Sequence, residues 1–282
     1  MQLEQHIEVA HDHCTHEDVQ ASIGFVARLY KEAQVSPEVE NDNIQHSAVV
    51  REYALAIAKA HHLDEAFMGV AGQCHDCGKL DKQKPGEIDT WAHHQTSARA
   101  TNKFLQEERG KTPVLGDRME RVIQCHSYIP FIRDFYTQQY EKMVAAGRGD
   151  GKTLEQYLEA VLPEPKTSEE LALRDADMLA MIDVMAGLRK IVNIRQKQGS
   201  PWHEAEKDNI GLSIASAMQS AHTAYSILHF DYAQQIGEKL HSRVVVFQNA
   251  FAHSQVQTLE TFLQFCDDWV AKEKTQELPI AA

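Results

Sequence analysis

The chain reads as all-α, and two observations lead there. Apolar residues recur at helical spacing in segment after segment, whereas the alternating apolar–polar runs of half-buried strands are scarce. The short run Val244-Val245-Val246-Phe247 sits inside a longer helical pattern. A content of 43% hydrophobic and 24% charged residues over 282 positions is that of a globular chain able to bury a core.

Taken in order, the first periodic face is Val49, Val50, Tyr53 and Ile57, with His46 on the same side. Phe67, Val70, Ala71 and Cys74 form the next, and His75 follows directly from it. Gly78 through Pro85-Gly86 to about Thr90 reads as a loop. Met119, Val122 and Ile123 mark a further helix, completed by His126. The segment from 127 to about 167 carries Phe131, Phe135, Tyr136, Tyr140 and Tyr157 beside Arg133 and Lys142. It reads either as a lid gripping a base and phosphates or as a helical insertion packing its own small core. Gly147-Arg148-Gly149-Asp150-Gly151 and Pro163-Glu164-Pro165 are breaks within it.

Asp177 then leads a face of Ala180, Met181, Val184, Leu188 and Ile191, and Gly199-Ser200-Pro201-Trp202 closes that helix. Ile236, Leu240, Val244 and Phe247, with Phe251, Leu259, Phe262, Leu263 and Phe265, supply a C-terminal helical extension. Its expected use is packing against the core or a homodimer contact. Leu278-Pro279-Ile280-Ala281-Ala282 reads as a frayed tail.

A formal net charge of −13 repels polyphosphate backbones and anionic membranes, so nucleic acid is an unfavoured partner. No apolar stretch approaches the roughly 20 residues that span a bilayer. Met1 to His6 has neither a basic region nor an apolar run, so no signal peptide is expected. Five cysteines, an odd number without framework spacing, suit a reduced, cytoplasmic setting.

The chemistry concentrates at Cys74-His75-Asp76-Cys77-Gly78-Lys79. His46, His75, His126 and Asp177 each lie on or beside the apolar face of a separate helix. Burying an unpaired polar group costs several kcal/mol, and an unpaired carboxylate costs more. Several such groups from different helices are satisfied together by sharing a cation. Imidazole with carboxylate suits iron, manganese, zinc or cobalt and suits calcium poorly.

In this order His46, His75-Asp76 and Asp177 resemble the H…HD…D ligand set of the HD-domain metallohydrolase superfamily. The Gly78-Lys79 that follows also fits, and the likeness covers roughly residues 40 to 195. It implies an HD-type helical bundle: one domain over 1–282, core about 20–200, insertion about 127–167, extension about 203–275. His94, opening His94-Gln95-Thr96-Ser97-Ala98, and His126 resemble the additional ligands of binuclear members. The implied metal set is thus His46, His75, Asp76, His94, His126 and Asp177, with Asp76 bridging two ions. His93 remains a substitute for His94. Asp175 competes with Asp177, although Ala176-Asp177-Met178-Leu179 matches the family pattern better, and Asp175 is a candidate to orient a ligating histidine.

The resemblance implies a metal-dependent phosphohydrolase acting through a metal-activated hydroxide on a nucleotide or other small phosphorylated metabolite. Iron or manganese is expected, with zinc, cobalt or nickel as further choices. Asp76 would be catalytic as the bridge, and Lys79 would either steady a phosphate or pair with Asp76. The alternatives are a mixed-valent diiron oxygenase, a CRISPR-type nuclease and a metal-binding regulator without turnover. The Gly-Tyr-Pro signature of cyclic-di-GMP enzymes is absent where Ser127-Tyr128-Ile129-Pro130 stands.

Three further signals are set aside. His11-Asp12-His13 has no apolar helical face leading into it. His61-His62 ends a helix, where cations suit the dipole. Cys74 and Cys77 lack the context of a redox or zinc C-x-x-C, and Cys74 and Cys125 read as small core residues.

Overall fold

The computed structural model describes residues 12–35, 37–79, 92–148, 151–183, 206–256 and 258–275. Among them are eleven α-helices and no strand, so the expected all-α class is observed. The loop expected after Lys79, the break at 199–202, the positions Val184, Leu188 and Ile191, and the C-terminal tail lie outside the described residues.

The chain divides into two compact units. The first comprises Met1–Ala180 with Leu228–Gln234, and the second Met181–Ile227 with Gln235–Ala282. Within the first, α1 (His16–Glu32) starts at a Thr15–Asp18 capping box, in which each side chain bonds the other's backbone amide. Its buried stripe of Val19, Ser22, Phe25, Val26 and Tyr30 follows helical spacing. α2 (Pro37–Ala60) buries Val50, Ala54, Ile57 and Ala58, while Val49, expected on that stripe, is exposed. Steps of three and four from Val50 carry the stripe away from Val49, which lies one residue, about 100°, to the side. After α2, His62 adopts a left-handed φ of 56° and Leu63 N–H donates to Ala58 carbonyl at 2.9 Å, closing the helix C-terminus.

α3 (Glu65–Cys74) is the hub, packed against α1, α2, α4 and α5. Asp64 caps it by accepting from Phe67 N–H at 2.9 Å. Every residue from Phe67 to Cys74 is buried, because the helix is enclosed on all sides. Gly72 permits the tight crossing with α2: a methyl group there would stand 2.8 Å from Arg51 Cα.

α4 (His93–Lys103) runs into a π turn, Phe104–Glu108, whose Phe104 stacks on Phe25 at 4.5 Å. α5 (Pro113–Cys125) begins at a Thr112 cap with proline in its first turn and buries the expected Met119, Val122 and Ile123. The insertion forms α6 (Pro130–Ala145) and α7 (Leu154–Val161), and α8 (Ser168–Ile182) follows. Tyr136, Tyr140 and Tyr157 meet ring to ring, with centroids 5.5–6.5 Å apart, above buried Ile132 and Leu158. That is a small core of the insertion's own. Arg121 on α5 ties it down, bonding Glu159, Glu170 and the Glu164 carbonyl.

In the second unit, α9 (Glu206–Ser226), α10 (Asp231–Ala252, from Gln235) and α11 (Leu259–Thr275) supply its helices. Phe247 and Phe262 are fully buried there, with Phe251, Phe265 and Trp269 around them. Among the described residues no helix is long and apolar enough to cross a membrane.

The segment before α1 is anchored by charge. Asp18, buried, accepts from Arg109 Nε at 2.7 Å and lies 2.8 Å from Lys111 Nζ. Asp12 accepts from Thr112 Oγ1 at 2.6 Å and His13 offers its carbonyl to Lys111, while His11 lies outside the described residues. Burial alone would raise the Asp18 carboxyl, but bonds from Lys111, Arg109 and Thr15 outweigh it and hold the carboxyl below its usual value. A depressed carboxyl contributes stability above its unfolded pKa of about 4 and loses it as pH falls through the folded value. Asp18→Asn is expected to cost on the order of 3 kcal/mol at pH 7, the gap from wild type narrowing below about pH 4. Urea unfolding across that range checks this; a gap constant with pH counts against it.

Candidate metal centre

Five segments of the first unit aim side chains at one point. His46 comes from the middle of α2, His75 and Asp76 from the turn that ends α3, and His93 from the first turn of α4. His126 caps α5, and Asp177 lies in α8. The α3 turn is held from several sides. Tyr30 Oη donates to the Asp76 carbonyl at 3.2 Å, and Gly78 N–H donates to Ser97 Oγ at 2.8 Å. A side chain on Gly78 would overlap the Ser97 amide, so glycine is what lets the turn lie against α4.

The donor atoms form overlapping groups: two share Asp76, and a third joins His75, His126 and Asp177 across them. In the first, His46 Nε2 lies 3.2 Å from each of His75 Nε2, Asp76 Oδ2 and Asp177 Oδ1. His75 Nε2 stands 3.2 Å from Asp76 Oδ2 and 3.6 Å from Asp177 Oδ1. In the second, Asp76 Oδ1 is 3.1 Å from His93 Nε2 and 3.6 Å from His126 Nε2, and the two imidazole nitrogens are 3.3 Å apart. Neighbouring donors around one ion bound at about 2.0–2.2 Å stand roughly 2.9–3.6 Å apart. Both groups match that spacing.

Hydrogen bonds behind the rings set their orientation. His75 Nδ1 donates to the Gly72 carbonyl at 2.8 Å, and His126 Nδ1 donates to the Ile123 carbonyl at 2.6 Å. In a neutral ring this tautomer turns the Nε2 lone pair into the cluster. Asp76 Oδ1 is buried and receives no well-formed hydrogen bond, although two imidazole nitrogens face it. Acceptor atoms converging on a buried carboxylate oxygen are the donor set a cation satisfies.

The protonation equilibria carry the same strain. Burial opposes a charge on His75, but Asp76 and Asp177 outweigh it and raise the imidazolium pKa to about 10. Burial would raise Asp76; the charges of His75, Lys79 and His93 hold it well below the usual carboxylate range. Asp177 is likewise held well below the usual carboxylate range, against its burial, by His46 and His75. His126 moves the other way, pushed down by burial against the pull of Asp76.

Five of the expected ligands, His46, His75, Asp76, His126 and Asp177, thus meet here, and His94 does not. Its Nε2 lies 2.6 Å from the Val161 carbonyl, which Gln95 Nε2 also approaches at 2.8 Å. His93 takes the inward place. The reason is helical phase: His93, Ser97 and Thr101 share one stripe, and Ser97 and Thr101 contact Gly78 and Cys77 of the α3 turn. His94 lies one residue round and faces the insertion instead.

Lys79 pairs with Asp76 Oδ2, the second of its two expected uses. Asp175 orients no histidine: its Oδ2 accepts from the backbone amides of His229 and Phe230, both at 2.8 Å. Ser127, which no periodic pattern marks, places Oγ 3.0 Å from His126 Nε2 and 3.3 Å from His93 Nε2. Cys74, Cys77 and Cys125 are buried and form no disulfide, and burial pushes the Cys77 thiol up to about 12, far from a reactive thiolate.

With this geometry in hand, comparison with protein-family models, with curated proteins and with solved structures returns no match to the chain.

If the cluster holds a divalent cation, replacing His93 by Ala is expected to weaken that binding by about 100-fold or more. His94→Ala should leave metal stoichiometry intact while loosening the insertion. Elemental analysis with limited proteolysis of 130–162 separates the two, and metal loss in His94→Ala would reverse the assignment.

Proposed function

We propose that the protein is a metal-dependent phosphohydrolase acting on a small phosphorylated metabolite, a nucleotide being the first candidate. The observation that carries the reading is the pair of donor groups meeting on the two oxygens of one buried carboxylate, Asp76. The likeness of His46, His75-Asp76 and Asp177 to the HD-domain ligand order supports the same reading.

His46, His75, Asp76 and Asp177 would hold one ion, and Asp76, His93 and His126 the other. When bound, two first-row divalent ions supply Lewis acidity toward a phosphoryl oxygen and activate water near neutral pH. The chain's own side chains do the rest. Nδ1 bonds to backbone carbonyls hold the His75 and His126 rings so that Nε2, once free of its proton, points its lone pair into the cluster. Lys79, partly exposed and already against Asp76 Oδ2, offers its ammonium to a substrate phosphoryl oxygen as an alternative anion. A chain of net charge −13 that admits an anion needs local cations to do so, which favours a small substrate over a polyanion.

Chelator-treated protein should hydrolyse p-nitrophenyl phosphate, bis-p-nitrophenyl phosphate or nucleotides only after Mn²⁺ or Fe²⁺ is restored. Asp76→Ala should lower that rate by about 10³-fold or more. Two bound ions without hydrolysis of any phosphate ester would sink the reading. Iron-specific oxygen uptake would replace it with the diiron oxygenase.

A further inference from the structure

We propose that the Ser127 hydroxyl is a fourth side-chain donor of the group formed by Asp76 Oδ1, His93 and His126, completing a second site for a divalent first-row cation. The inference rests on the binuclear reading above and goes beyond it by assigning a ligand that the family resemblance does not name.

Three observations converge. First, Ser127 Oγ lies 3.0 Å from His126 Nε2 and 3.3 Å from His93 Nε2, the separations found among the other donors of this group. Without Ser127 the second group has three side-chain donors, against four in the first.

Second, the hydroxyl is buried, with 3% of the residue exposed, and its hydrogen-bond contacts are these two rings. A small residue is all that packing demands here, and burying a hydroxyl has a desolvation cost that alanine avoids. His126 Nδ1 is engaged by the Ile123 carbonyl, so in the neutral ring Nε2 accepts and Ser127 Oγ–H donates to it. The single hydroxyl proton serves one ring at a time. When an ion takes the imidazole lone pairs, the proton has only to rotate away for an oxygen lone pair to join them.

Third, the backbone fixes where the hydroxyl points. Ser127 follows the last turn of α5, where Tyr128 N–H bonds the Cys125 carbonyl at 3.0 Å and Ile129 N–H bonds the Ser127 carbonyl at 2.8 Å. This tight turn sets His126 and Ser127 side by side toward the same point. A hydroxyl is a hard, neutral oxygen donor, which suits manganese better than a purely nitrogen set would.

The test is Mn²⁺ titration of the metal-free full chain, with free Mn²⁺ counted by its electron paramagnetic resonance signal. Wild type, Ser127→Ala and Ser127→Thr are compared, and circular dichroism verifies the fold of each. Wild type should take up two ions. Ser127→Ala should keep one at wild-type affinity and bind the other about 10-fold or more weakly. Ser127→Thr, which retains the hydroxyl, should restore the second affinity. Two ions at wild-type affinity in Ser127→Ala overturn the assignment while leaving the binuclear reading standing. Uptake of fewer than two ions by wild type overturns both. Equal weakening in Ser127→Thr and Ser127→Ala also overturns the donor role, because it shows a steric effect at 127.

Discussion

A buried carboxylate, Asp76, faces imidazole nitrogens on both of its oxygens, and the rest of the first unit is arranged to hold that confrontation in place. Left without a cation, such a cluster is costly: burial penalises each charge, and the protons must be shared among rings that face one another. The direction of each shift follows from this, His75 up, Asp76 and Asp177 down, His126 down. Six ionisable groups meeting at one point, four of them buried and His46 and Asp177 partly exposed, gain nothing as packing. A cation bound among them could satisfy these groups together.

Precision in the cluster comes from backbone contacts that surround the α3 turn. Gly72 brings α2 close enough for His46 to reach His75, and its carbonyl orients His75 as well. Gly78 lets the turn lie on α4, so that His93 arrives opposite His46 on the far oxygen of Asp76. Tyr30 pins the Asp76 carbonyl from α1. Side chains far apart in sequence thus act on one turn, residues 75–78.

One helical turn also joins two functions. His93 faces the cluster, while His94 and Gln95 both reach the Val161 carbonyl at the end of the insertion's second helix. Tyr136 stands edge-on to His94 at 6.0 Å. The aromatic insertion is therefore fastened to the residue beside a candidate ligand.

The amino-acid sequence by itself determined the helical class, through apolar periodicity in α2, α3, α5 and α10, and most of the cluster. His46, His75, His126 and Asp177 were legible because each sits on or beside an apolar helix face, and phase is a local property; Asp76 was legible only from the resemblance of His75-Asp76 to the HD ligand order. The choice of His93 over His94 was not, since two adjacent histidines at a helix start differ by 100° in direction and α4 has no strong apolar stripe to orient it. What decided was the packing of Ser97 and Thr101 on a turn 19 to 24 residues earlier in the chain. Ser127 was invisible for the same reason, lying past the end of α5 where periodicity stops. Asp175 and Lys79 likewise took partners set by tertiary position. Helical phase is written in neighbouring residues, but the atom a side chain meets across the fold is set by how helices pack, and only the tertiary structure carries that.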